Sequence, residues 1–293
     1  HRVADPFRSP GDAFGTMEHA LARAALAHYA DFGHSTIYVP KAGALIRRLG
    51  EEIAEPVLLS LVRSMVSAFR EELIPEFRAY GEAVATFGTK PNGAAPPTTD
   101  FTRLNANKAV AFTAEHGTAP ALDLFRSLLG ANATNMLTMD LKHLADLDQP
   151  YGSDFGWLDL THGLTFADAV LDLCGKYPEL WPQGLLQMAC FSGRNIGHDD
   201  PNVDLEDWRV SDPEAFFQEV EQTLFDHGHD EYIVSVHLVK TAQAVRNLLA
   251  SQEAGSAGDI ALASLNRLLA SPVRRKMVRR TARQAMRFVE TDI

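Results

Sequence analysis

The sequence predicts an all-α fold. Apolar side chains recur at a spacing of about 3.6 residues in ten segments. Capping residues and prolines open several of these segments, and no strand-like alternation stands outside a helical pattern. The segments are 12–32, 35–49, 56–80, 120–129, 157–174, 184–191, 213–225, 231–250, 260–269 and 272–289. Asp12 is placed to cap the first. Glu55-Pro56, Asp212-Pro213 and Ser271-Pro272 put proline in a first turn, where its missing N–H costs nothing. Gly33, Gly50, Gly81 and Gly130 are placed as stops. The β-branched stretches 35–39 and 233–239 lie inside longer helical patterns. Residues 88–100, rich in glycine and proline, read as a flexible connection, and 197–204 as a second irregular stretch. The expected organisation is one multi-helix domain over 1–293, with a metal site between helices and a basic C-terminal helix over 272–289.

Composition narrows the function classes. The net charge of −11 argues against nucleic acid as the main partner. Cys174 and Cys190 stand alone, so neither a disulfide framework nor a cysteine-held zinc or iron–sulfur site is expected. No apolar run approaches the roughly 18–20 residues of a membrane span, and no signal-peptide pattern opens the chain. These features place the protein in the cytoplasm, off membranes, by expectation. The last helix carries Arg274, Arg275, Lys276, Arg279, Arg280, Arg283 and Arg287 with no acidic neighbour before Glu290. It either answers the acidic body or meets an acidic protein partner.

The histidines carry the chemistry. His34 precedes Ile37, Tyr38 and Leu45; His162 precedes Thr165, Phe166, Ala169 and Val170; His237 precedes Thr241, Ala244, Val245 and Leu248. Those offsets put each imidazole on the apolar stripe of its helix. His28 shares a stripe with Met17, Leu21, Ala24 and Phe32. A single such histidine reads as a core residue bound to a carbonyl. Several from distant helices also read as inward-facing ligands of iron, zinc or copper. Lys240 lies three residues after His237, on the same face. Either it snorkels to solvent, or it is buried, loses its proton and takes up carbon dioxide as a carbamate ligand. His116 sits at a helix boundary, as ligand or cap. His227 and His229 flank a turn glycine, His143 is placed at the surface, and Asp199 and Asp200 in a solvated turn. Glu71, Glu72 and Glu76 share a face but lack the Glu-x-x-His of di-iron bundles. No phosphate loop, dinucleotide fingerprint or nucleophile elbow is present.

The segments Phe32-Gly33-His34-Ser35-Thr36-Ile37-Tyr38, Trp157 through Ala167 around His162, and His237-Leu238-Val239-Lys240 resemble the questin oxidase-like family. They also resemble helical regions of bacterial proteins that carry a Rieske domain. The resemblance implies a helical oxygenase of aromatic, polyketide-like substrates. It implies mononuclear non-heme Fe(II), held by histidines and a carboxylated lysine, with dioxygen as co-substrate. Carried onto this chain, His34, His162 and His237 would be ligands and Lys240 the carbamate. The family pattern calls for a fourth histidine, with His116 the first choice and His28 the next. Tyr38, Trp157 and Phe166 would wall the substrate pocket. The Rieske cysteines are absent, so an electron donor of Rieske or ferredoxin type would be a separate partner. Two other classes stay open: a zinc hydrolase using the same ligands, and a non-catalytic helical module that binds a ferredoxin-like protein.

Overall fold

The computed structural model describes residues 13–145, 155–225, 232–271 and 276–291. Within them the chain is all α, with fourteen α-helices and no strand. They are α1 (Ala13–Leu26), α2 (His34–Leu49), α3 (Ala54–Ser67), α4 (Tyr80–Thr86), α5 (Thr98–Phe101), α6 (Ala106–Glu115) and α7 (Ala121–Leu137). Then come α8 (Lys142–Ala145), α9 (Trp157–Lys176), α10 (Trp181–Arg194), α11 (Pro213–Phe225), α12 (Tyr232–Ala250), α13 (Ser256–Ala270) and α14 (Lys276–Thr291). No helix among the described residues is long and apolar enough to cross a membrane. His227, His229, Asp12, Arg274 and Arg275 lie outside the described residues.

α9 is the axis of the bundle. Leu160 through Val170 is buried without interruption, so this helix has no solvent face over three turns. Such a helix must be covered on all sides, and α2, α7, α10 and α12 all pack on it. α7 packs in turn on α13, and α10 on α6. The α10–α6 crossing is close because Gly193 has no side chain: a Cβ there would stand 2.4 Å from the Ala106 Cα. α6 is made largely of small residues and is capped by Asn105, whose side chain accepts the Lys108 N–H at 3.1 Å.

Two expected helices and the expected flexible connection differ. The segment 12–32 ends as a helix at Leu26. The backbone then turns to pair with residues 69–72: Glu72 N–H donates to Tyr29 O at 3.2 Å and Asp31 N–H to Phe69 O at 2.9 Å. The segment 56–80 stops at Ser67 and becomes two 3-10 turns, Glu71–Leu73 and Pro75–Phe77. Pro75 separates the two turns, because a residue before proline is driven out of the helical region. Ile74 accordingly sits at φ −85°, ψ 154°. The connection 88–100 is tethered. Lys90 pairs with Glu115 at 2.7 Å, the Asn92 N–H reaches Thr118 Oγ1 at 3.0 Å, and residues from Thr98 onward form α5.

The helix crossing gives a direct test. Gly193→Ala is expected to cost about 2–3 kcal/mol through overpacking against the α6 backbone. Gly81→Ala meets nothing within 4 Å on exposed α4, so it should be neutral or stabilising by about 0.5–1 kcal/mol. Urea unfolding of the two variants distinguishes them; equal effects would contradict the close crossing.

Candidate metal centre

His34 is the first residue of α2 and His162 lies in the second turn of α9. His237 and Lys240 lie on the first turns of α12. Because α2 and α12 both pack on α9, their N-terminal ends bring these four side chains together. His34 Nε2 and His162 Nε2 are 2.9 Å apart, and Lys240 Nζ is 3.3 Å from His162 Nε2. The His237 ring stands 5.1 Å from that of His162, centre to centre.

The tautomers follow from the carbonyls. His162 Nδ1 lies 2.5 Å from Leu158 O, and His237 Nδ1 lies 2.6 Å from Ile233 O. A carbonyl only accepts, so both Nδ1 atoms carry the proton and both Nε2 atoms present a lone pair. His162 Nε2 has His34 and Lys240 as neighbours. His237 Nε2 is buried with no hydrogen-bond partner at all. An orphaned buried nitrogen is an energetic cost that calls for a ligand or a proton.

Electrostatics keeps the imidazoles neutral and loosens the Lys240 proton. Burial, with Lys240 nearby, holds His237 down to about 4 and His162 well below the usual imidazole range. Burial and Lys240 also lower His34, which sits at a helix N-terminus where an imidazolium is disfavoured. Burial lowers Lys240 itself from 10.5 to about 8. That shift raises its neutral fraction near neutral pH by roughly 300-fold over a free lysine. Lys240 is partly buried and its Nζ points into the cluster, toward His162, rather than out along the helix surface.

A strained turn sets His34. Asp31, Phe32 and Gly33 all have positive φ, at 47°, 53° and 69°. Consecutive left-handed residues of which only one is glycine persist where the surroundings hold them. The Glu71 carboxylate does so: Oε2 accepts the Phe32 N–H at 3.0 Å and Oε1 meets Arg194 at 3.3 Å. Arg194 also lies 4.1 Å over the Phe32 ring. A Cβ on Gly33 would stand 2.5 Å from Phe166, so the turn rests on that ring. Beyond the turn, Asp31 Oδ2 is 3.7 Å from His34 Nδ1, and Tyr38 stacks on the His34 ring at 5.5 Å.

The remaining predicted site residues fall elsewhere. His116 ends α6, with its Nδ1 2.9 Å from Phe112 O and its ring against Phe112; it makes no recorded contact with the cluster. His28 lies past the end of α1, exposed, and pairs with Glu72 at 3.0 Å. Its expected apolar stripe fails because the helix stops at Leu26. Phe166 is wholly buried core under Gly33 and against Phe191 rather than a pocket wall. Trp157 is half-buried near Arg267, 6.0 Å from its guanidinium. Of the three expected wall residues only Tyr38 touches the cluster, and Phe32 joins it, 5.5 Å from the His162 ring.

Sequence reasoning missed Glu71 and Arg194, which act only through the tertiary fold. It also missed Lys41, Asp168 and Asn247, two turns further along the same three helices. There Asp168 Oδ2 accepts from Lys41 at 2.9 Å and from Asn247 at 3.1 Å, beside a cleft of about 660 Å³ that no histidine lines.

As the side chains stand, no three His, Cys, Asp or Glu residues among the described ones are close enough together to hold a metal ion. No known protein family, curated protein or solved structure matches this chain.

Two outcomes follow. Glu71→Ala should cost about 3–5 kcal/mol, because it strands the Arg194 charge and frees the Phe32 N–H; urea unfolding measures it. In metal-free protein the unfolded chain binds more protons than the folded one between His237's folded value of about 4 and its ordinary 6.5. Stability is thus held above about pH 6.5 and lost as pH falls toward 4. The Tm of His237→Gln should depend less on pH across that window than the parent's.

Proposed function

We propose that this chain is a mononuclear non-heme Fe(II) oxygenase, with His34, His162, His237 and a carboxylated Lys240 as its ligand set. The observation that carries the reading is the buried, partnerless Nε2 of His237 beside the His34–His162 pair. The donor chemistry fits an iron(II) ion. Three neutral imidazoles and one anionic oxygen donor suit it. His34, His162, His237 and the Lys240 carbamate would hold the ion, with His116 and His28 outside the cluster. Bound there, iron(II) would supply the electrons that activate dioxygen.

The chain's own residues do the rest. The neutral Lys240 amine attacks carbon dioxide; an N–C bond forms, a proton passes to water, and a carbamate remains. The Leu158 and Ile233 carbonyls hold His162 and His237 with Nε2 directed as donors. Phe32 and Tyr38 cover the imidazoles and exclude water. Tyr232, Val236 and Val239 on α12 and Tyr38 on α2 are exposed apolar side chains on the two helices that carry His34, His237 and Lys240. Both cysteines are buried and separate, so reducing equivalents would come from a Rieske- or ferredoxin-type protein. Basic α14 is the surface that fits an acidic donor.

Anaerobic purification followed by loading with Fe(II) and bicarbonate tests the proposal. Elemental mass spectrometry should find about one iron per chain in the parent, falling at least about tenfold in Lys240→Ala and His162→Ala. Loaded parent should consume oxygen with an electron-rich aromatic substrate. No iron in the parent sinks the proposal, and stoichiometric zinc without oxygen uptake replaces it with the hydrolase.

A further inference from the structure

A second pair of imidazoles lies outside that centre. His143 Nε2 and His198 Nδ1 are 3.3 Å apart, with their rings at 74°. They come from α8 and the segment after α10, far apart in sequence. A short antiparallel bridge between Met139 and Asp199 fixes the two segments together. Asp140 N–H donates to His198 O at 2.8 Å, and Asp200 N–H donates to Thr138 O at 2.7 Å. Arg267 locks the first segment by donating from Nη1 to the Leu137 and Met139 carbonyls at 2.7 and 2.8 Å. Phe155 stacks flat on the His198 ring at 3.7 Å and sets its plane. The two imidazoles are thus held by backbone and ring packing, each half-buried.

From this geometry we infer that His143 and His198 form a divalent-metal site of the zinc class, distinct from the His34–His162–His237 cluster. Two nitrogens bound about 2.05 Å from a tetrahedral ion stand about 3.3 Å apart, which is the spacing found. As a hydrogen bond between rings the same spacing is long. Imidazole selects zinc, copper and nickel over magnesium and calcium. Asp140, Asp199 and Asp200 lie near this corner, with Lys142, which pairs with Asp140, and Arg267. Held by these two imidazoles, the ion would clasp α8 to the segment after α10, next to the start of α9.

The test separates this site from the proposed iron centre. Zinc chloride is titrated calorimetrically into chelator-stripped His162→Ala protein, which lacks the central ligand of the first cluster. About one equivalent should bind, and adding His143→Ala or His198→Ala should each weaken binding at least about tenfold. No binding, or binding that neither variant changes, overturns the site. Should His162→Ala fail to fold, the parent chain serves: zinc should protect His143 and His198 from diethylpyrocarbonate, read by peptide mass spectrometry. Equal modification with and without zinc overturns the inference. Because the readouts are local to these two residues, failure of the iron proposal leaves them interpretable.

Discussion

The structure depends on one constraint: α9 is buried on every side, and it carries an imidazole. A polar group in such a helix must find its partners inside the protein. His162 finds one in the Leu158 carbonyl through Nδ1, which leaves Nε2 as an acceptor. Everything around that atom follows. α2 delivers His34 and α12 delivers Lys240 and His237, and burial lowers all four groups. Desolvation of the ammonium loosens the Lys240 proton. The result is a set of neutral imidazoles beside a lysine that sheds its proton more readily than a free one, and neutral imidazole is the protonation state that metal ligation requires.

His34 shows how much of the fold is committed to that corner. Its position depends on three left-handed residues in succession, and these depend on a carboxylate nearly forty residues away. Glu71 is itself buried, and its carboxyl is pushed up by desolvation, with Arg194 opposing. Arg194 closes the chain of contacts by lying over Phe32. The strain therefore sits beside the cluster and is opposed by a charge pair from α10 and the 3-10 turn before α4. Such placement is characteristic of functional sites, and it gives His34 one orientation rather than a choice of several.

Much of this was legible in the sequence. α2, α9, α11 and α12 lie within a residue or two of their predicted bounds because apolar periodicity and start signals agreed there. His34, His162, His237 and Lys240 were legible because each is a polar side chain on an apolar stripe. The illegible parts are those that only tertiary contact creates. Nothing local marks Glu71 as the acceptor for Phe32, or the small-residue segment 106–115 as a helix that needs Gly193 opposite. His28 was misplaced because periodicity carried the first helix six residues past its end, across a turn that pairing with residues 69–72 imposes. His116 satisfied the same local pattern as a ligand and proves to be bound to the carbonyl of its own helix. A histidine and its own i−4 carbonyl look alike in sequence whether the other nitrogen faces a site or a phenylalanine.

The central claim is that the Nε2 atoms of these histidines are donors to one ion. X-ray absorption at the iron K-edge, on protein loaded anaerobically with Fe(II), addresses it most directly. The account predicts outer-shell scattering from about three imidazoles and a mixed nitrogen–oxygen first shell, with the imidazole signal reduced in His237→Ala. A spectrum of oxygen donors alone, or one that His237→Ala leaves unchanged, would contradict it.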